Sequence, residues 1–331
     1  MPSPTRNPLR VCVGVAGVVA ALAAAAGVLA HFFGPVNTIV TLTAAFTPLF
    51  VLLAVAAVLM LVAARLWVAA GGALLVAVLG AGTQLPLYIG EDPPTATDAP
   101  TLKLLQANIL YGGADVGALV DRVRRDGVDL LTVSELTVAA RDRLEAAGVS
   151  ESLPYSYTSA RSGGSGEGIY SRHPLRETEE LSGLPLANLR ATVDVPGAVP
   201  YAVYALHPTP PYPGPVRQWA ADLDRLRVVL ANETRPLLVG ADFNATYDHE
   251  RFRALLAAGE RDGSALVDAA EFTGSGIVTT YPADRRFSAV VAIDRILTRG
   301  GTPLSFERVE IPGSDHHGVM GEVLLAASAH R

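Results

Sequence analysis

Cysteine is almost absent: Cys12 is the only one in 331 residues. This excludes a disulfide framework and any cysteine-rich zinc site. Cys12 itself lies in an apolar run and reads as a small buried hydrophobe. Charge is also scarce, at 18% of residues against 50% hydrophobic, and mean hydropathy is +0.32. Such a chain is not disordered, and it is too apolar for an ordinary soluble enzyme of this length. Acidic residues are missing entirely before Glu91, and no Asp, Glu, Lys or Arg occurs from Val11 to Ala64. There is no internal repeat, no Walker A loop and no Rossmann fingerprint. The glycine-rich stretch Ser162–Gly168 (SGGSGEG) fits neither motif and reads as a mobile surface loop.

Positive charge is in deficit where charge is present. Residues 91–331 carry 23 basic and 32 acidic groups, a net of −9. Duplex binding is driven by Lys and Arg displacing counterions from phosphates, so duplex nucleic acid is a poor match as a partner. A small phosphate-ester site balanced by a metal stays compatible with this charge.

The first 90 residues read as a membrane domain. Three apolar stretches, Val11–Phe33, Val36–Ala64 and Leu66–Tyr88, each exceed the roughly 20 residues needed to cross a hydrocarbon core. Gly34-Pro35 and Arg65 separate them, and Pro48 predicts a kink in the second. Buried soluble helices are the weaker alternative, since these stretches show no polar face. Their Gly and Ala content suits close packing of spans. Arg6 and Arg10 hold the N-terminus in the cytoplasm, Arg65 places the second connection inside, and Glu91 and Asp92 follow on the outer side. Cleavage after Val28-Leu29-Ala30 is an alternative for the first span, and would leave the other two as a hairpin. The expected location is the cell membrane, multi-pass, with residues 91–331 extracytoplasmic.

Glu91–Pro100 (EDPPTATDAP) reads as an extended spacer. Beyond it, in 101–331, short β-type runs alternate with helical patterns. Strands are predicted at Leu102–Ala107, Asp129–Val133, Gly168–Tyr170, Ala191–Val195, Tyr201–Leu206, Pro236–Val239, Ala292–Leu297 and Val319–Leu325. Helices are predicted at Asp115–Asp126, Val138–Ala147, Val216–Ala231 and His249–Ala258. The mix predicts an α/β domain with one or two sheets flanked by helices.

Several apolar runs end in polar groups. LKLLQAN ends at Asn108, DLLTVSE at Glu135 and YAVYALH at His207. PLLVGADFN delivers Asp242 and Asn244, VVAID delivers Asp294, and IPGSDHH delivers Asp315 and His316. Strands sharing an orientation would gather these ends at one edge, the usual place for a site in α/β architecture. Carboxylates so gathered would repel one another, and a hard divalent ion, Mg²⁺ or Mn²⁺, resolves that better than zinc. An imidazole beside a carboxylate suits general-base or electrostatic work, and Asn donors suit phosphoryl oxygens. The set fits metal-assisted attack of water on a phosphate ester.

The ordered set Asn108, Glu135, Gly240-Ala241-Asp242-Phe243-Asn244, Ile293-Asp294-Arg295-Ile296 and Ser314-Asp315-His316 resembles the endonuclease/exonuclease/phosphatase superfamily over residues 101–325. The resemblance implies a four-layer α/β sandwich of two β-sheets flanked by helices, here preceded by three transmembrane helices. It implies that Glu135 is the principal metal ligand, supported by Asn108, with Asp315 as a second metal-side carboxylate. It further implies that Asp242 orients or deprotonates water and that Asn244 steadies phosphoryl oxygens. His316 matches the catalytic His and Asp294 the carboxylate that holds it, while His207 matches a His that contacts phosphate or aids the leaving group. Many nucleases of this group have a carboxylate two residues after the first Asn; Leu110 stands there, so no second ligand is implied at that position. His317 follows His316 directly, and only the motif assigns the inward role to His316.

Each residue has a bland alternative. Glu135 could cap the following helix, Asp242 and Asn244 could form an Asx turn, Asp315 could be a loop residue, and His207-Pro208 could be structural. Taken together in this order, they favour a catalytic set. His173 and His249 read as surface residues, Arg172 as a surface ion-pair partner with contact to a substrate anion as the weaker alternative, and Pro208–Pro215 as a rigid loop with lining of the substrate mouth as the weaker alternative. The layout and the His-Pro…Pro-Pro segment also resemble actinobacterial membrane proteins of this superfamily linked to teicoplanin resistance. The expected function is a membrane-anchored, outward-facing Mg²⁺-dependent phosphoesterase acting on a mono- or diester, with a lipid-linked or envelope substrate natural beside the bilayer. The alternatives are an extracellular nuclease and a non-catalytic scaffold that binds a phosphorylated ligand.

Overall fold

The computed structural model describes residues 8–34, 36–92, 98–259 and 265–328. Arg6, Pro35 and the centre of the Glu91–Pro100 spacer lie outside the described residues. The chain forms two compact units: Met1–Pro86 with Tyr247–Glu250, and Leu87–Thr246 with Arg251–Arg331.

The first unit is helical, with α1 (Pro8–Phe32), α2 (Thr38–Ala45), α3 (Thr47–Ala63) and α4 (Trp67–Gln84). Helices Pro8–Phe32 and Trp67–Leu87 are long and apolar enough to cross a membrane. The second predicted span is a bent pair, α2 and α3, turned by 72°, and the expected kink falls at Pro48 in the first turn of α3. A proline there has no helical hydrogen bond to lose, so the chain breaks just before it. Small residues set the helix contacts. A Cβ on Gly27 would fall 1.9 Å from Phe50 Cγ, and one on Gly80 2.7 Å from Val51 Cγ2. The outward faces are apolar, with Leu22, Leu52, Leu59 and Val68 exposed, and Cys12 is exposed among them rather than buried. His249, expected at the surface, is buried in this unit, with Nε2 donating to the Thr41 carbonyl at 3.0 Å. Beside it, Asp248 Oδ1 lies 2.7 Å from His31 Nδ1 and accepts from Gln84 Nε2 at 2.8 Å.

The second unit stacks two six-stranded sheets. The first sheet contains β1 (Thr101–Asn108), β2 (Leu130–Ser134), β3 (Tyr155–Ser159), β4 (Glu167–Ser171), β11 (Thr302–Val309) and β12 (Gly318–Leu324), in the order β11-β12-β1-β2-β4-β3. The second contains β5 (Leu175–Glu180), β6 (Leu189–Val193), β7 (Tyr201–Leu206), β8 (Leu237–Asp242), β9 (Val267–Asp268) and β10 (Asp294–Arg299), in the order β5-β6-β7-β8-β10-β9. Each sheet has one parallel pair at its centre, β1 with β2 and β7 with β8; the other pairings are antiparallel. Apolar residues from both sheets, among them Leu104, Val319, Val203, Leu238 and Ile296, fill the space between them. The seam is close at Gly240 of β8, where a Cβ would lie 2.2 Å from Thr132 Oγ1 of β2 and 3.0 Å from Leu104 Cδ2 of β1.

Helices cover the outer faces. α5 (Val116–Asp126), capped by Asp115, and α6 (Val138–Ala146), capped by Thr137, bury Leu119, Val123, Ala140 and Leu144 against the first sheet. The single-turn α7 (Val149–Ser152) follows. α8 (Val216–Asn232) is tied to β10 through buried Arg299, which donates to the carbonyls of Leu230 and Glu233. α9 (Glu250–Leu256) sets Phe252 against Phe243, and the one-turn α10 (Ala269–Phe272) follows β9. The result is the expected four-layer sandwich, helices outside and sheets within.

Candidate active site

The topology explains why the polar strand ends meet. The parallel pairs carry the C-terminal ends of β1 and β2, and of β7 and β8, to one edge, bringing Asn108, Glu135, His207 and Asp242 together. Asp294 and His316 arrive differently from expectation. Asp294 opens β10 rather than ending a strand, and it is the register partner of Asp242 across the antiparallel pair. His316 precedes β12, which runs antiparallel to β1. Strands of opposite direction therefore contribute their starts where the parallel pairs contribute their ends.

Asp242 is the hub, at 1% exposure. Its Oδ2 accepts from Asn108 Nδ2 at 3.0 Å and lies 3.7 Å from both His207 Nε2 and His316 Nε2. Its Oδ1 accepts the Asn244 N–H at 2.9 Å, so the Asx turn is real and belongs to the site. Asn108 Nδ2 also reaches Glu135 Oε1 at 3.2 Å. Glu135 caps no helix; Thr137 does that. Its Oε2 instead accepts the Tyr111 N–H at 2.6 Å. Asn244 Nδ2 donates one hydrogen to the Pro208 carbonyl at 3.1 Å, which leaves it a second donor. Asn188 Oδ1 accepts the His207 N–H at 2.8 Å, which fixes that strand end, while His207 Nδ1 is buried with no hydrogen-bond partner.

The Ser-Asp-His turn is pinned to the first strand. Ser314 Oγ donates to the Asn108 carbonyl at 2.7 Å and accepts the His316 N–H at 3.1 Å. His316 points inward, its Nδ1 2.9 Å from Asp294 Oδ2, whereas His317 is only part-buried. Burial alone would push the His316 imidazole down, but the charges of Asp294 and Asp242 outweigh it and push the ring up to about 10. Asp315 is part-buried, and burial, with Glu135 nearby, raises its carboxyl. All eight sequence-predicted residues lie at this edge. His207, Asp242, Asn244, Asp315, His316 and Glu135 line one cavity of about 300 Å³, with Asn108 and Asp294 behind it.

Backbone strain concentrates here. Leu110, Tyr111, Glu135 and Asn244 all have positive φ, four of the six non-glycine residues that do among the described residues. Gly164 lies against the site; its Cβ would fall 2.8 Å from Tyr111 Cε1 and 3.3 Å from Glu135 Cδ. The glycine-rich stretch, read from sequence as a mobile surface loop, brings Gly164 and Ser165 into the cavity wall. The Pro208–Pro215 run brings Pro210, Tyr212 and Pro213 there as well. Sequence reasoning passed over Tyr111 and Tyr281, and reached Tyr212 only through the alternative that the Pro208–Pro215 run lines the substrate mouth. Tyr281 stacks against His316, ring centroids 4.8 Å apart. Arg172 pairs with Asp129 at 2.7 Å, as expected of a surface ion pair.

Glu167 of β4, also passed over, is fully buried behind the site. It accepts from Ser134 Oγ at 3.0 Å, and its Oε2 has no partner. Burial first, then the charges of Asp242 and Glu135, hold its carboxyl well above the usual carboxylate range. In the unfolded chain a Glu titrates near ~4.3. Between that value and the raised folded one, the folded state keeps a proton that the unfolded state releases, so stability falls as pH rises through this window. Glu167→Gln removes the penalty. Its unfolding midpoint is expected to match wild type at the acid end and exceed it increasingly towards neutral pH, in a urea series of the full chain in detergent micelles.

Two stacked sheets with carboxylates, amides and imidazoles converging at one edge define a DNase I-like α/β sandwich. The chain belongs to the Endonuclease/Exonuclease/phosphatase family, whose model matches residues 105–316. This is a family of phosphoester hydrolases, typically dependent on divalent metals. Among curated proteins none matches the sequence. Solved structures share the fold. A family member from Bacteroides vulgatus superposes with TM-score 0.54 at 14% identity, covering 68% of this chain and 99% of its own. Humanised D. rerio TDP2 gives 0.52 at 18%, covering 67% and 98%. A mannosyl-6-phosphatase from Bacteroides thetaiotaomicron gives 0.50 at 14%, covering 68% and 100%.

Proposed function

We propose that the chain is a membrane-anchored, outward-facing, divalent-metal-dependent phosphoesterase, with residues 1–90 as anchor, 91–100 as spacer and 101–331 as catalytic domain. One observation carries the reading: the Asp242 carboxylate faces Asn108 and two imidazoles in the same cavity that holds Glu135 and Asp315. None of these three carboxylates pairs with a Lys or Arg among the described residues, and no thiol is near, so the donors fit a hard cation. Glu135, Asn108 and Asp315 would hold Mg²⁺ or Mn²⁺. When bound, the ion supplies charge neutralisation at a phosphoryl oxygen.

The chain's own groups divide the remaining work. Asp242 orients the attacking water and accepts its proton. His316, protonated at neutral pH and held by Asp294, donates through Nε2 to a phosphoryl oxygen. Asn244 offers its second amide hydrogen to the same group, and His207 stands by the leaving oxygen. Asp242, Asp294 and His316 also place one donor atom each within 4.8 Å of one another. We read that trio as a hydrogen-bonded His–carboxylate arrangement, because Asp294 Oδ2 already engages Nδ1 of the ring.

The exposed apolar helix faces and the Arg10 and Arg65 positions support anchoring with the N-terminus inside. That placement suits a lipid-linked or envelope phosphate ester, and it rests on the sequence-level resemblance to the membrane proteins linked to teicoplanin resistance. The test uses the full chain in nanodiscs with bis-p-nitrophenyl phosphate and p-nitrophenyl phosphate. Hydrolysis is expected with Mg²⁺ or Mn²⁺, lost on chelation and restored by either ion. Failure with every metal overturns the reading. Protease added outside intact cells is expected to remove residues 101–331, and protection of that domain would reverse the orientation.

A further inference from the structure

The cavity wall carries no lysine or arginine. Besides three tyrosines, its ionisable groups are three carboxylates and two histidines, all already placed in the reaction. Arg285, in the loop after Tyr281, lies outside the lining and is paired with Asp284 at 3.1 Å. Arg286, beside it, also lies outside the lining, so within the lining a phosphate beyond the reacting one would meet Glu135 and Asp315 without a cationic partner, a repulsion that selects against it. The cavity offers aromatic rings instead. Tyr111 and Tyr212 stand in its wall at 61% and 66% exposure, and Tyr281 closes the floor against His316. The Tyr111 ring is steadied on one side by the Gly164 backbone, which has no side chain to displace it. Pro210, Pro213 and Leu186 complete an uncharged rim. Tyrosine offers a large rigid face at low entropic cost, and such faces stack on planar or cyclic groups.

Resting on the phosphoesterase reading, we infer that the site selects esters with a single phosphate group whose flank is an uncharged ring, a sugar or a base, seated on Tyr111 and Tyr212. These two tyrosines determine specificity and take no part in bond breaking. The reaction balances as simple hydrolysis: water adds to phosphorus, the ester P–O bond breaks, and the proton from water ends on the departing oxygen or in solvent.

The test compares p-nitrophenyl esters that share one leaving group, on the full chain in nanodiscs with Mg²⁺. The flanks are methyl, phenyl, glucose-6-yl and thymidine-5′-yl, plus thymidine-5′-yl bearing a 3′-phosphate. Ring flanks are expected to raise kcat/KM at least about tenfold over methyl, a modest stacking contribution. The added 3′-phosphate is expected to lower it by a similar factor. The better of the glucose and thymidine arms tells sugar from base. Tyr212→Ala and Tyr111→Ala are expected to erase the ring-to-methyl ratio through KM, and Tyr212→Phe to keep it. A general folding defect would lower all esters alike, so the ratio within each variant is the readout. Turnover of every ester with no ring preference, a preference for the 3′-phosphate, or an unchanged ratio in both alanine variants overturns the inference and leaves the phosphoesterase reading standing. No turnover of any of these diesters overturns the inference, and if p-nitrophenyl phosphate and bis-p-nitrophenyl phosphate are not hydrolysed either, both readings fall.

Discussion

His316→Ala is expected to lower kcat by about a thousandfold, within the span measured for loss of a positioned proton-transfer or donor group, with little change in KM. The ring is buried, bonded to Asp294 and 3.7 Å from Asp242, so its removal deletes the one charged donor held against the reacting centre. The substitution has a second effect. Asp294 is 1% exposed, and without its partner it becomes an isolated buried carboxylate. Removing one member of such a pair costs about 3–5 kcal/mol of stability. The double variant His316→Ala/Asp294→Asn removes that charge, so its unfolding midpoint is expected to recover towards wild type while kcat stays low. Single-turnover rates and urea midpoints on both variants separate chemistry from folding. Normal turnover in His316→Ala would remove the residue from the mechanism.

Glu135→Gln is expected to raise the Mg²⁺ concentration needed for half-maximal rate by about a hundredfold or more, since changes to groups merely behind a metal ligand already cost 10–100-fold. Geometry sharpens the expectation. Both carboxylate oxygens of Glu135 accept hydrogen bonds, Oε1 from Asn108 and Oε2 from the Tyr111 backbone. A glutamine must turn its NH₂ towards one of those donors, which loses the contact and misdirects the remaining oxygen. Rate against Mg²⁺ concentration, with Mn²⁺ binding followed by calorimetry, checks this. An unchanged metal requirement would move the cation away from Glu135.

The eight strands predicted from the sequence are all present, several with bounds shifted by one or two residues. The four that escaped prediction are β3, β5, β9 and β11, and these are the four sheet edges. Edge strands are short or polar because they must not recruit another chain. β5 reads LRETEE and β3 reads YSYTS, so the apolar signal that reveals a central strand is missing. The catalytic candidates were legible because each sits directly against an apolar central strand. The direction of two of those strands was not, since Asp294 and His316 precede theirs. The tyrosine rim was opaque for another reason: its three rings come from three unrelated loops, and only tertiary structure brings them to one cavity. Glu167 was hidden because a carboxylate in a strand gives no sign in sequence that it will be sealed between sheets.

Gly240 lies two residues before Asp242, and Thr132 three before Glu135, and the two sheets approach closely where they meet. The bare backbone at that point works as a thin shim, fixing how far the strand end that carries Asp242 stands from the one that carries Glu135. A single methyl there would widen the gap on both sides at once. The reach of the chemistry at the rim is thus gauged by an absence in the interior, and a change in the size of the phosphorus-centred group accepted could be achieved without altering any residue that touches it.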